Sequence, residues 1–414
     1  MLKKETILQE ANALRSNLIT WRRDLHQIPE IGMELPNTMA YLAQQLEAME
    51  IPFTHHPAIS CIEATVGNGS PCVLLRADAD GLPMEEQAKL SFAAKNGCMH
   101  SCGHDLHSAM LLGAAKLLKM REDSLQGTVK LLFQSGEEIF QGAEAAIRAG
   151  ILERPKVDVA LALHVLAMLP LGMVMTGKRP MAAVDGFQIA LRGKGGHGST
   201  PEHCMDPING AVQVYLALQS LMAREVGGTE EAVLTIGQFQ SGTAPNTIPS
   251  QAQLSGTLRT FRAEVRERLL HRIREISTSV AHAYRCRCTY QALHHCPGVI
   301  TDDAVTAQAV NSLQALDRKL HLRQDMHGMG SEDFAWIAQH VPASYLLLGA
   351  GPEDSNLRFG QHDSRVIFSE DVLPMGAAIY AQFAIDFLLR GKNIAKIGKS
   401  VDKSIPEAYD REDG

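Results

Sequence analysis

No stretch of this 414-residue chain approaches the roughly eighteen consecutive apolar residues of a membrane-spanning helix. Nor is there a basic block. The 39 Lys and Arg against 46 Asp and Glu leave a net charge of −7, which argues against nucleic acid or an anionic membrane as the main partner. The opening segment MLKKETILQEANALRSNLITWRRDLHQIP is charged throughout and reads as an amphipathic helix. It lacks the apolar core of a secretion signal. Eight cysteines in a chain this long, with no such signal, are expected as thiols rather than a disulfide framework. The expected location is therefore cytoplasmic. No repeat of solenoid period is visible. The final GKSVDKSIPEAYDREDG (398–414) is polar and expected to fray.

What remains is the composition of a soluble globular protein, 45% hydrophobic and 21% charged. The length exceeds one ordinary core, so two domains are expected. In the first half, CVLLRA (72–77), TVKLLFQ (128–134) and DVALALHVL (158–166) read as buried strands. Between the first two, HDLHSAMLLGAAKLLKM carries apolar residues at helical spacing. ASYLLLGAG (343–351) is strand-like, and VLPMGAAIYAQFAIDFLL (372–389) is a long apolar helix. Strands alternating with helices predict an α/β sheet with helices on both faces. The middle differs. GFQIALRG (186–193), AVLTIGQFQ (232–240), QAQLSGTLRTF (251–261) and RCRCTYQALH (285–294) read as strands. Helices over 206–225 and 263–284 complete the order βαββαβ, the ferredoxin-like motif. The first helix has Asp206 as its cap and Pro207 in its first turn. An α+β domain over 184–297 is thus expected to be inserted into an α/β domain made of 1–183 and 298–414.

Polar residues gather where strands of such a sheet end. Asp78 and Asp80 follow CVLLRA, and Ser135-Gly136-Glu137-Glu138 follow TVKLLFQ. His164 lies near the end of its strand, His104 just before its helix, and His362 in a loop after YLLLGAG. Singly, each reads as a packed histidine, a turn aspartate or a solvated glutamate pair. Their convergence at matching strand ends weighs toward a joint site. The stretch CMHSCGHDLHSAM (98–110) adds two cysteines and three histidines. A structural zinc site closes with four Cys or His ligands in paired short spacings. Cys98 and Cys102 supply half of one, and the other half is missing nearby. Carboxylate, imidazole and a single thiolate drawn from several strand ends suit a catalytic pair of divalent ions.

HSCGHD, SGEE, ALHV, GKGGHGSTP, APNTIP and GQHDS occur in this order. Together they resemble the amidohydrolase branch of the dinuclear metallopeptidases, with hippurate hydrolases, indole-acetyl-amino-acid hydrolases and N-acyl-amino-acid amidohydrolases. The resemblance runs from WRRDLHQIPEIG (21–32) to the last helix. It implies a catalytic α/β domain with an inserted ferredoxin-like lid that also dimerises. It further implies two divalent ions per subunit, held by Cys102, His104, Glu138, His164 and His362, with Cys102 as a bridging thiolate. Zinc, manganese, cobalt and nickel all suit such mixed ligands. Glu137 is the implied general base, and Asp78 the group that orients a ligand. His197, reaching across a homodimer, is the implied oxyanion donor. Asn246 and Arg259 match residues that bind the substrate carboxylate, and Gly330 and Ser331 match a loop lining the acyl side. Arg259 also reads as an exposed strand residue, and Glu332 and Asp333 as helix-cap groups. His107 either supports a ligand or is merely packed, and Cys98 reads as a small buried residue. Ala79, Gly81, Ser101 and Gly198-Ser199 depart from the family's usual residues, but none removes a ligand or the base.

The expected reaction is hydrolysis of the amide bond of an N-acyl-amino acid. Two alternatives stay open: a dipeptidase or exopeptidase of the same fold, and a metal-stabilised binding protein without turnover. Intact Glu137 argues against the last.

Overall fold

The computed structural model describes residues 6–318 and 320–394, so the polar tail lies outside the described residues. The chain opens with helices α1 (Ile7–Ala13), α2 (Arg15–His26) and α3 (Pro36–Ala48). The amphipathic opening segment is thus two helices, because Leu14 ends the first and begins the second. Strands β1 (Phe53–His56), β2 (Cys61–Gly67) and β3 (Cys72–Asp78) follow, then α4 (His104–Lys119), β4 (Thr128–Gln134), α5 (Gly142–Arg148), β5 (Val159–Leu166) and β6 (Val174–Met175). A second sheet comes next, with β7 (Ala183–Arg192), β8 (Gly196–His197), α6 (Pro207–Glu225), β9 (Ala232–Ser241), β10 (Thr247–Ile248), β11 (Gln251–Thr260), α7 (Ala263–Ala283) and β12 (Arg287–Cys296). The chain returns through α8 (Asp303–Leu316), β13 (Leu322–Arg323), α9 (Phe334–His340), β14 (Ala343–Gly349) and α10 (Leu373–Ile394).

The large sheet has eight strands in the order β1-β2-β4-β3-β5-β14-β6-β13. Its centre, β4-β3-β5-β14, is parallel, and β2 and β6 pair with it antiparallel. Helices cover both faces. The packing of α1, α2, α4, α8 and α10 builds one core layer, and α5 and α9 build the other. Strands buried on both faces read as near-continuous apolar runs, as β3, β4 and β14 do apart from buried charges such as Arg76 and Lys130. The segment Glu370–Leu389 is long and apolar enough to cross a membrane, but it is 72% buried in this core. All eight cysteines are free thiols, and Cys98 is half-exposed rather than buried.

The second sheet is antiparallel throughout, in the order β12-β7-β11-β9, with α6 and α7 on one face. Asp206 caps α6 by accepting from the amides of Ile208 and Asn209, an interaction that contributes about 1 kcal/mol. β7 begins at Ala183, earlier than the alternating run suggests. β12 begins later, at Arg287, because Arg285 takes a left-handed φ of 61° as the chain leaves α7.

Candidate metal centre

The parallel strands deliver the polar residues to one end of the large sheet. β3 ends at Asp78, and Asp80 follows. β4 ends at Gln134 and leads into the turn Ser135–Gln141. His164 lies in β5. Glu137 and Glu138 sit in this turn, not at a solvated helix start; Glu137 is buried. Gly103 stands between Cys102 and His104 with φ 88°, and a Cβ there would meet Val165 Cγ2 at 2.5 Å. Only glycine lets the chain pass this close to β5.

Cys102, His104 and His164 place one ligand atom each within 4.8 Å of one another, and so do Cys102, Glu138 and His362. The two groups share Cys102. Cys102 Sγ is 3.5 Å from His164 Nε2, and His362 Nε2 is 3.4 Å from Glu138 Oε2. His104 Nε2 lies 4.0 Å from Glu138 Oε1, and both of these atoms are buried without a hydrogen-bond partner. Buried polar atoms need partners, and a cation supplies one to each. His362 adopts φ 66° in its loop and is the most exposed of the five.

The ring orientations suit ligation. His104 Nδ1 donates to the Asp80 carbonyl at 2.8 Å, and His164 Nδ1 donates to the Val165 carbonyl at 2.7 Å. Each bond directs the Nε2 lone pair toward the cluster. Burial pulls His164 down to about 4, so its ring is neutral. Burial also pulls on His104, but Asp78 and Asp80 outweigh it and raise the ring to about 10. A proton and a divalent ion therefore compete for His104 Nε2. Burial, then Glu138, Glu137 and Asp78, push the Cys102 thiol well above its usual range. A thiolate here needs strong positive charge beside it. Burial, with Glu332, Glu138, Asp333 and Asp78 around it, also holds Glu137 well above the ordinary carboxylate range. Sulfur, nitrogen and oxygen donors, two orphaned ligand atoms and an excess of carboxylates together fit divalent metal.

Asp78 does not hold the Nδ1 of His104, because the Asp80 carbonyl already occupies that position. It makes a short hydrogen bond to His107 Nδ1 and accepts from Arg76 Nη1 at 2.7 Å. His107 Nε2 in turn accepts from the Val165 amide at 2.8 Å. Both His107 nitrogens are thus used, and the ring braces Asp78 against β5.

Asp80 was expected at the strand ends without an assigned role, and Arg76, Asp105, Arg22 and His26 were not foreseen. Asp80 uses its carboxylate to accept from the amides of Glu137 and Glu138, at 3.2 and 3.1 Å. Arg76 is fully buried and pairs with Asp78, Glu332 and Asp333. Glu332 and Asp333 therefore do more than cap a helix. Behind His104, Asp105 accepts from Arg22 Nε and His26 Nδ1, both at 2.8 Å, and His26 Nε2 faces Glu86 at 3.1 Å. The available signal was a charge inside an apolar run: Arg76 in CVLLRA.

The inserted region holds the remaining candidates. His197 pairs with Thr247 in the short β8–β10 ribbon, and the Gly198 amide donates to the Asn246 carbonyl at 2.9 Å. His197 Nδ1 accepts from the Ser199 amide at 3.1 Å, so its proton resides on Nε2. Arg259 is half-buried. Its Nη1 donates to the Met329 carbonyl at 2.8 Å and to Ser331 Oγ at 3.2 Å. The Gly330 carbonyl accepts from the Ala182 amide at 2.8 Å. Among the described residues, no hydrogen bond or ion pair joins His197, Asn246 or Arg259 to the carboxylate and imidazole cluster.

The family described as Peptidase family M20/M25/M40 matches residues 74–386. The chain belongs to this family. It is 35% identical over 394 residues to an IAA-amino acid hydrolase ILR1-like 4 of Arabidopsis thaliana, covering 92% of this chain and 88% of that one. It is 33% identical to an N-acetylcysteine deacetylase of Bacillus subtilis, covering 90% and 97%. A solved Bacillus subtilis structure described as a dinuclear metal binding peptidase from M20 family superposes with TM-score 0.77 at 30% identity, covering 91% and 99%. The protein is thus a metal-dependent amidohydrolase of the M20 family.

Proposed function

We propose that this M20 enzyme hydrolyses the amide bond of N-acyl-amino acids carrying a free carboxylate. The observation that carries this reading is Arg259. Its guanidinium is half-buried, is bonded by a carbonyl and a hydroxyl, and has no carboxylate partner among the described residues. A partly desolvated guanidinium without a counter-charge is a receptor for a carboxylate. N-acetylcysteine and IAA-amino acid, which appear in the names of the two relatives above, are both amides with such a group.

Cys102, His104, Glu138, His164 and His362 would hold the divalent metal, which when bound would supply Lewis-acid polarisation of the amide carbonyl and acidify a water. Glu137 accepts the proton of the attacking water and delivers it to the leaving amine nitrogen, acting first as base and then as acid. His197 donates from Nε2 to the oxygen that becomes negative in the tetrahedral intermediate. Arg259 and Asn246 orient the carboxylate, and Gly330 and Ser331 line the acyl side. Residues 184–297 act as a lid, and a second chain of a cytoplasmic homodimer brings its His197 to the site.

The test is turnover of a panel of N-acyl-amino acids, their carboxamides and dipeptides in the presence of zinc, manganese, cobalt or nickel. Acids are expected to exceed carboxamides by about tenfold to a hundredfold in kcat/KM, the worth of one charge-assisted hydrogen bond. Equal values for acid and carboxamide contradict the role of Arg259 and Asn246. Faster turnover of dipeptides than of every acyl-amino acid would make the protein an exopeptidase.

A further inference from the structure

The turn Ser135–Gln141 carries both Glu137 and Glu138, so its geometry sets the position of the base relative to the ligands. Within the turn, the Phe140 amide donates to the Glu137 carbonyl at 2.9 Å, and the Gln141 amide donates to the Gly136 carbonyl at 3.1 Å. A turn closed only by its own amides can tilt as a unit. Asp80 holds its middle. Ser135 Oγ at its start donates to the Ile59 carbonyl at 2.6 Å, and the residues flanking it on both sides are held by a residue distant in sequence, Asp333.

Asp333 is fully buried, and each of its oxygens accepts two hydrogen bonds. Oδ1 accepts from Arg76 Nη2 at 2.7 Å and from Gln134 Nε2 at 2.9 Å. Oδ2 accepts from Gln134 Nε2 at 2.9 Å and from the Ala143 amide at 2.8 Å. Gln134 is the last residue of β4, immediately before the turn, and Ala143 lies in the first turn of α5, immediately after it. One carboxylate therefore spans the turn. Close packing leaves little slack there, since a Cβ on Gly142 would stand 1.6 Å from the Ser135 carbonyl oxygen. Asp333 makes no side-chain cap bond to its own helix α9, so its hydrogen bonds are committed to the turn and to Arg76. Asp333, Glu332 and Glu137 also place carboxylate oxygens within 4.8 Å of one another. The loop that carries Asp333 is anchored in its turn by Arg259, through Met329 and Ser331.

We propose that Asp333 is a positioning residue for the reaction, fixing the catalytic turn so that Glu137 stands where it can take and return a proton. This rests on the reading of Glu137 as the base. Every hydrogen-bond partner of the carboxylate is a donor, so an amide at this position turns a donor toward Arg76, Gln134 or the Ala143 amide. The turn must then shift to relieve the conflict, and a misplacement of about 1 Å costs about a hundredfold in rate.

The experiment compares Asp333→Asn, Gln134→Leu and Lys130→Met in the metal-loaded enzyme, with kcat, KM, metal content and Tm measured for each. Lys130 is a buried control on the same strand that bonds to the Ile151 and Pro155 carbonyls, away from the turn. Asp333→Asn is expected to keep its metal and hold KM within about twofold while kcat falls about tenfold to a hundredfold. Gln134→Leu should show a smaller loss of the same kind, and Lys130→Met should lower Tm with kcat unchanged. Wild-type kcat in Asp333→Asn overturns the proposal, as does a kcat that falls only in proportion to lost metal. If Asp333→Asn does not fold, Gln134→Leu decides on the same criteria. Glu137→Gln is measured alongside. Full activity there defeats the reading of the base, whereas an inactive Glu137→Gln with a fully active Asp333→Asn defeats only the positioning role.

Discussion

The metal side and the substrate side of this enzyme are built in opposite ways. On the metal side, His104, His164 and Glu137 are buried, and each is fixed by a hydrogen bond to a neighbouring element or its own strand. On the proposed substrate side, His197 is exposed on a ribbon of two residues per strand, and among the described residues its Nδ1 bonds only to Ser199, two residues away. Chemistry that depends on proton position to within a fraction of an ångström is placed where the core over-determines it. On the proposed function, recognition falls to this exposed ribbon, which closure of the inserted sheet or a second chain would bring to the metal side. The two sides should therefore fail differently when mutated.

The largest effects belong to the metal side. Cys102→Ala and His104→Ala should each lose bound metal together with nearly all activity. Full metal content by elemental analysis in either variant, with normal turnover, breaks the ligand assignment. Next come the adjacent glutamates. Glu137→Gln should retain metal and lose about 10²- to 10⁴-fold in kcat, as removal of a general base does. Glu138→Gln should lose metal first. Metal loss that follows Glu137 instead exchanges the two roles.

A smaller effect concerns stability. Burial alone would raise Asp105, but Arg22 and His26 outweigh it and hold the carboxyl well below its usual range. A depressed folded value means the contribution is present above the unfolded value of about 4 and is lost as pH falls toward the folded one. In metal-free protein, wild-type Tm should thus fall more steeply than that of Asp105→Asn between about pH 4.5 and about pH 2.5. At neutral pH the variant should be less stable by about 1–3 kcal/mol, because the buried Arg22 Nε and His26 Nδ1 lose their charged acceptor while Arg22 keeps only Glu370 among the described residues. Parallel slopes for the two proteins would show that this network does not contribute to acid unfolding.

The same division explains what could be read in advance. Central strands buried on both faces announce themselves as apolar runs, so β3, β4, β5 and β14 were legible, as was the βαββαβ order. The five ligand candidates were legible through the resemblance carried by HSCGHD, SGEE, ALHV and GQHDS, because the strand runs alone lead directly only into Glu137-Glu138 and contain His164. The roles of Asp80, Arg76 and Asp333 were not legible, because they depend on which strand ends come together in space. Asp333 lies 190 residues or more from the groups at the two ends of the turn it spans. The break at Leu14 was hidden for another reason: helical spacing continues across it, and only the backbone shows the two helices as separate.

The most direct test of the account is whether the two sides can come from different chains. Glu137→Ala and His197→Ala should each be nearly inactive alone. When they are unfolded and refolded together, random pairing makes about half the dimers mixed, each with one intact site, so activity should return to roughly a quarter of wild type. That recovery supports a metal side and a substrate side contributed by different subunits. No recovery in proven heterodimers would contradict it and place His197 within its own chain's site or outside catalysis altogether.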